Sequence, residues 1–320
     1  MKRALLSAAA LSFALAASAF AADLPDRKAP VYIPPPAPTL WTGFYVGVNA
    51  GGTFGGDGNT YVSSWPVYLD PFFASITGPL AWSATATAAG TGWVRTNNSG
   101  FIGGGQVGYN WQFGAGGLGS AWVVGIEADI QGVAGSSGAS TFVSGLPAPP
   151  PVTPGFGIAG VTQVSNSLDY LGTVRGRIGF LFAPTLLVYG TGGLAYGGVN
   201  SSTSQLQAIV GGSLNPAWTN AWGFSGSYSD TRVGWTAGGG LEWMFAPHWS
   251  AKVEYLYYDL GSVSYNSGIS GSLGLSAAAN GPAIMLNSVS TSTRYNGQIV
   301  RAGVNYHFNW LAPAAVLAKY

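Results

Sequence analysis

Along much of the chain, apolar and polar residues alternate one by one, the period of a strand whose two faces meet different surroundings. The stretch from Gly234 to Gly261, GWTAGGGLEWMFAPHWSAKVEYLYYDLG, holds two such runs joined by a short turn. One face is aromatic and aliphatic, and the other carries Glu242, Lys252 and Glu254. The same period predicts eight strands, approximately 41–51, 100–113, 120–133, 167–182, 185–199, 231–245, 248–261 and 298–308. Their connectors alternate in length. Those after strands two, four and six are short, and two of them, at Phe182 and Phe245, read F-A-P. The others run roughly 30 to 50 residues, the short-turn, long-loop asymmetry of outer-membrane barrels. An all-β fold follows: an eight-stranded antiparallel transmembrane β-barrel with short periplasmic turns and four long extracellular loops.

Face assignment tests that expectation, because a register error of one residue would put charges into lipid. Val107, Tyr109, Trp111 and Phe113 alternate with Gln106, Asn110 and Gln112, while Ile126, Ala128 and Ile130 alternate with Glu127, Asp129 and Gln131. The polar face then collects five acids (Glu127, Asp129, Asp169, Glu242, Glu254) and four bases (Arg175, Arg177, Lys252, Arg301). An eight-stranded barrel has only enough interior for side chains to fill, so this lumen charge cluster reads as a plug. Aromatic residues at strand ends read as an interfacial girdle at the head groups: Trp41, Trp111, Phe113, Trp122, Phe182, Phe245, Trp249, Tyr257, Phe308 and Trp310. Strand five, LLVYGTGGLAYGG, does not alternate cleanly, and its register stays open.

The chain ends fit this class. Lys2 and Arg3 precede an apolar run from Ala4 to Ala17 and an A-x-A site at Ala19 to Ala21, which predicts a signal peptide over 1–21. Residues 22–40 follow as a proline-rich periplasmic spacer, 41–308 as the outer-membrane β-barrel, and 309–320 as a periplasmic tail. Only 7% of residues are charged and 50 of 320 are glycine, against ~25% charged in average globular proteins. Twelve basic and eleven acidic residues leave no basic footprint for nucleic acid. There is no cysteine, which excludes disulfides and thiolate metal sites.

Catalytic motifs are weak. Gly103-x-Gly105-x-x-Gly108 matches a dinucleotide fingerprint but opens no helix in a βαβ unit. His248 and His307 fall at the periplasmic end, with no nucleophile beside them and too few ligands for a metal. No enzyme activity, cofactor or metal is expected.

Several segments resemble the outer-membrane immunogenic protein family, RopB and its relatives. They are ADLP with its proline-rich spacer, WTGFYVGVNAGG at Trp41, VYGTGGLAYGG at Val188, the Gly234 to Gly261 stretch and VRAGVNYHF near the end. The resemblance implies a small OmpA-like barrel of the porin family, surface-exposed in the Gram-negative outer membrane, with no catalytic residues. The expected function is a structural, surface-exposed barrel with a plugged polar lumen, supporting envelope integrity and surface interaction. Two alternatives stand beside it: a narrow porin, and surface capture of an apolar ligand such as haem. The expected partners are outer-membrane lipid and lipopolysaccharide, the barrel assembly machinery, and host or other surfaces met through the loops.

Overall fold

The computed structural model describes residues 41–56, 59–69, 79–96, 99–114, 121–147, 156–211, 221–276 and 281–308. The expected signal peptide, spacer and tail lie outside these residues, as does Trp310. The elements are β1 (Gly43–Gly55), β2 (Asn59–Leu69), α1 (Pro79–Gly90), β3 (Gly92–Arg95), β4 (Gly100–Phe113) and β5 (Trp122–Ala134). They continue with β6 (Gly138–Pro147), β7 (Phe156–Ala183), β8 (Leu186–Gly211), β9 (Ala221–Ala246), β10 (Trp249–Ser276) and β11 (Gly281–Phe308).

The strands pair antiparallel, and the path β1, β4, β5, β7, β8, β9, β10, β11 closes through the ladder between β1 and β11, from Phe44↔Phe308 to Gly55↔Gly297. The three remaining strands continue walls that already exist. Like β1, β2 runs along β11, with Tyr61 opposite Ser292. β3 runs along β2 as β4 runs along β1, and β6 runs along β7 as β5 does. Much of what the sequence reading takes as long loops is therefore strand, and this corrects it. The cause is loss of contrast. In Asn200 to Gln205 both faces are uncharged and polar, Ser201, Thr203 and Gln205 inward against Ser202 and Ser204 outward, so alternation has no amplitude there.

The breaks between lower and upper strands fall near one height. They include Gly135, at φ 77°, a bulge between Leu168 and Tyr170, and a second between Asp259 and Ser262, where Gly261 sits at φ 80°. Such positive φ values cost a side chain energy and suit glycine. Below the breaks the barrel is closed and its outer face is apolar, with Val48, Ile126, Val174, Ile178 and Val253 exposed. At ~3.3 Å per residue and a tilt of about 40°, this band rises roughly 25 Å.

Above the breaks the barrel divides. The β9–β10 ladder stops at Trp235↔Asp259, and among the described residues β6 pairs only with β7 and β3 only with β2. Two four-stranded sheets result: β6, β7, β8 and β9 form one, and β3, β2, β11 and β10 the other. Hydrogen bonds join them face to face. Asn166 Nδ2 donates to Thr60 Oγ1 at 2.9 Å, and Thr291 Oγ1 to Thr203 Oγ1 at 3.0 Å.

α1 is held between the sheets. Its Ala86 and Ala89 pack with Val62, Ile158, Val164, Trp222, Phe224 and Val289. The end of a helix leaves carbonyls unsatisfied; here the wall supplies donors, Gln207 Nε2 to Ala86 O and Gln205 Nε2 to Gly90 O, both at 2.9 Å, and Ser144 Oγ to Ala89 O.

Candidate functional site

Inward-facing side chains fill the lower barrel in layers. At the turn end, Trp41, Val123, Leu181, Leu187, Tyr189 and Met244 make an apolar layer. Trp41 is 1% exposed, and its Nε1 donates to Pro184 O at 3.0 Å. Above it lies a layer of charges, then a second apolar layer that includes Ile102, Leu168, Leu171, Leu256, Leu260 and Ile299.

The charge layer is built by strand register and completed across the lumen. Glu127 lies opposite Arg175 on neighbouring strands, and Glu254 opposite Arg301. Arg175 reaches three carboxylates: Glu127 at 2.5 Å, Asp129 at 2.9 Å and Glu254 at 2.9 Å. Arg301 joins Asp129 at 2.8 Å and Glu254 at 2.5 Å. Lys252 Nζ donates to both Glu127 oxygens, at 2.8 and 2.9 Å.

Arg177 contacts Glu242 at 3.0 Å and lies over the rings of Tyr45 and Tyr189 at 4.9 and 5.1 Å. Tyr45 OH donates to Glu127 at 2.6 Å and Tyr189 OH to Glu254 at 3.1 Å. Glu242 accepts from Ser250 at 2.6 Å and Asn305 at 2.7 Å, and Ser250 meets His307 Nε2 at 2.9 Å. Each of these charged groups is at most 3% exposed except Asp129, at 4%. Buried charges persist only when paired and hydrogen-bonded.

Eight of the nine expected cluster residues meet in this layer; Asp169 does not. It is exposed on the outer wall, where Asn200 Nδ2 donates to it at 2.8 Å. The bulge beside Leu168 adds one residue, which turns Leu168 into the lumen and Asp169 out of it. Without Asp169 the acids and bases stand four against four, so the layer is neutral when all are ionised. Asp169→Asn is accordingly expected to change stability by no more than about 0.5 kcal/mol, as at other exposed positions. A larger shift of the denaturant midpoint would return Asp169 to the network.

The aromatic set divides as well. Trp111, Phe113, Trp122, Phe182, Phe245 and Trp249 are exposed on the outer wall near the turn end, and Phe308 is half-buried there. Tyr257 belongs to the opposite rim of the apolar band, 5.3 Å from Trp235. Trp41 is no girdle residue: it lies inside the barrel, edge-on to His307 at 5.8 Å, on the same alternating side as the inward Tyr45 and Asn49.

Tyr45 and Tyr189 are missing from the sequence-based cluster, although Tyr45 shares its parity with the inward Asn49, a signal that could have found it. The fingerprint glycines are wall residues. A Cβ at Gly108 would strike the Tyr45 hydroxyl, so this glycine makes room for a pillar of the charge layer. Among the described residues, no group of three or more His, Cys, Asp or Glu side chains is placed to hold a metal ion.

Outside the apolar band, Arg294 on β11 pairs with Asp259 on β10, and its hydrogen bonds hold the Asp259 carboxyl below the usual range.

A family model described as outer membrane protein beta-barrel domain matches residues 7–308. The 31 kDa outer-membrane immunogenic proteins of Brucella melitensis and Brucella suis are each 30% identical over 310 residues, covering 96% of this chain and all of theirs. The 22 kDa outer membrane protein of Rhizobium leguminosarum bv. viciae is 29% identical over 207 residues, 64% of this chain and 66% of its own. Among solved structures, the outer membrane protein OprG from Pseudomonas aeruginosa covers 84% of this chain and 98% of its own at 13% identity, with a TM-score of 0.32.

Proposed function

The chain belongs to the outer-membrane β-barrel protein family, and from that premise we propose that it is a closed, non-catalytic scaffold of the Gram-negative outer membrane that presents an extended two-sheet head for surface contacts. The observation that carries this reading is the stacking of the lumen. A neutral layer of four acids and four bases lies between two apolar layers, and α1 fills the head above them. Ions would have to cross both apolar layers as well as the paired charges, and each desolvated step is costly.

In this reading eight strands span the membrane, and the turns at Pro184 and Pro247 face the periplasm. The head then stands outside the cell, where lipopolysaccharide and other surfaces meet it, after insertion by the barrel assembly machinery. The outward apolar band, closed by aromatic rings at both rims, supports that placement.

The test is single-channel current across a planar bilayer, using protein whose folding is verified by its heat-dependent gel shift. No discrete steps are expected. Reproducible unitary steps that change in an Arg175→Ala variant would replace this reading with a narrow porin.

A further inference from the structure

The two sheets of the head differ on their outer faces. Just beyond the rim marked by Tyr257, the sheet of β3, β2, β11 and β10 carries a basic row. Arg95 lies opposite Asn59, and Arg294 opposite Ser262. Thr60 Oγ1 donates to Thr293 Oγ1 at 2.9 Å on the inner side, which brings Asn59 and Arg294 together on the outer side. Arg294 is two residues from Asn296, whose Nδ2 donates to the Tyr257 hydroxyl at 3.2 Å. The arginine row therefore stands about 5 Å above the aromatic rim.

One pair further out, a second row crosses all four strands: Trp93, Tyr61, Ser292 and Ser264, each opposite the next. Trp93 is 66% exposed and packs on Tyr61 at 4.8 Å, and Ser264 Oγ donates to Ser292 Oγ at 3.0 Å. Guanidinium groups thus come first from the bilayer, and an aromatic face with hydroxyls comes next.

We propose that this face docks the phosphorylated sugar head of an outer-leaflet glycolipid, with phosphate on Arg95 and Arg294 and saccharide against Trp93 and Tyr61. The order of chemistry carries the argument. Phosphate lies at the head-group level, where an arginine fork binds it by charge-assisted bonds, and sugar lies beyond it. Phospholipids such as phosphatidylglycerol offer the phosphate without a saccharide for the second row.

Arg294 binds Asp259 through Nε and Nη2, so Nη1 is left to face a ligand. Arg95 has no ion-pair partner among the described residues. The other sheet lacks this combination. At the same height it displays Asp169 and Asp230 outward, while its Arg232 is half-buried and turned toward β10, where Nη2 donates to Ser262 O at 3.3 Å. Above them a shallow cleft of about 400 Å³ lined by Gln163, Ser202, Ser204 and Ser225 holds no cation. Binding is therefore expected on one side of the barrel only.

The inference rests on the orientation proposed above. That orientation has its own check: Ser204→Cys, in the head but off this face, should react with a membrane-impermeant maleimide on intact cells. Failure to label would overturn orientation and inference together, whereas labelling leaves the binding measurement to decide the inference alone.

For that measurement, folded protein in zwitterionic micelles is titrated with a bisphosphorylated lipopolysaccharide, followed by native mass spectrometry. The same glycolipid after phosphatase treatment, lipid A without core sugars, and phosphatidylglycerol serve as comparisons. Arg95→Gln/Arg294→Gln is expected to weaken lipopolysaccharide binding by about tenfold or more and to remove its dependence on phosphate. Trp93→Ala should weaken binding of the sugar-bearing form and leave lipid A unchanged. All three positions are exposed, and the gel shift verifies that each variant folds. Unchanged affinity in the double variant, or phosphatidylglycerol binding as tightly as the glycolipid, would overturn the proposal.

Discussion

Replacing Arg175 with alanine is expected to destabilise the folded barrel by about 3–5 kcal/mol, the loss typical when one member of a buried ionic network is removed. Arg175 joins Glu127, Asp129 and Glu254, and its loss leaves four acids facing three bases in a space closed above and below by apolar side chains. Arg301 and Lys252 retain their own contacts with these carboxylates, so the layer is weakened and not dissolved.

Two companion variants sharpen the test. Arg175→Lys keeps the charge but not the planar fork that serves three partners, and should lose less. Arg175→Ala with Glu254→Ala should lose less than the two single losses summed, because the pair shares one network. Unfolding in denaturant, followed by tryptophan fluorescence and the gel shift, measures all three. A loss below about 1 kcal/mol for Arg175→Ala would mean that water already solvates this layer, contrary to a closed lumen. The variant should also remain electrically silent, since the apolar layers on either side stay in place.

The second large effect is expected at Trp41. Truncation to alanine removes a wholly buried indole and its bond to Pro184 O, at a cost of about 3–5 kcal/mol for a large buried aromatic. It also opens the turn end of the lumen toward His307, against which the ring stands. Trp122→Ala on the outer wall should cost less, because that ring is 52% exposed and its truncation leaves no buried cavity. Denaturant midpoints of the two variants compare them directly. Equal losses would place Trp41 functionally with the girdle after all.

Both predictions depend on contacts that strand alternation alone does not specify. Parity puts Glu127, Arg175, Glu254 and Arg301 on one face each, and neighbouring strands even set Glu127 beside Arg175. It says nothing about Arg301 reaching Asp129 at 2.8 Å across the lumen, because that contact depends on how strands distant in sequence curve toward each other when the sheet closes. It also fails wherever a strand gains a residue. One bulge moved Asp169 from the lumen to the outer wall, and nothing in LDYLG marks it.

By itself, then, the sequence determined the class of fold, the apolar outward face of the lower barrel and eight residues of the charge layer, because lipid on one side and a narrow lumen on the other impose a strong two-residue contrast. Only the tertiary structure decided where Asp169 lies and what Trp41 packs against, that the supposed loops are walls dividing into two sheets around α1, and that two arginines and an aromatic pair share one outer face. In the upper walls, as at Asn200 to Gln205, both faces of a strand can be polar, so local pattern carries no direction there, and at Asp169 a bulge reverses it; the choice then falls to pairing between strands and packing across the interior.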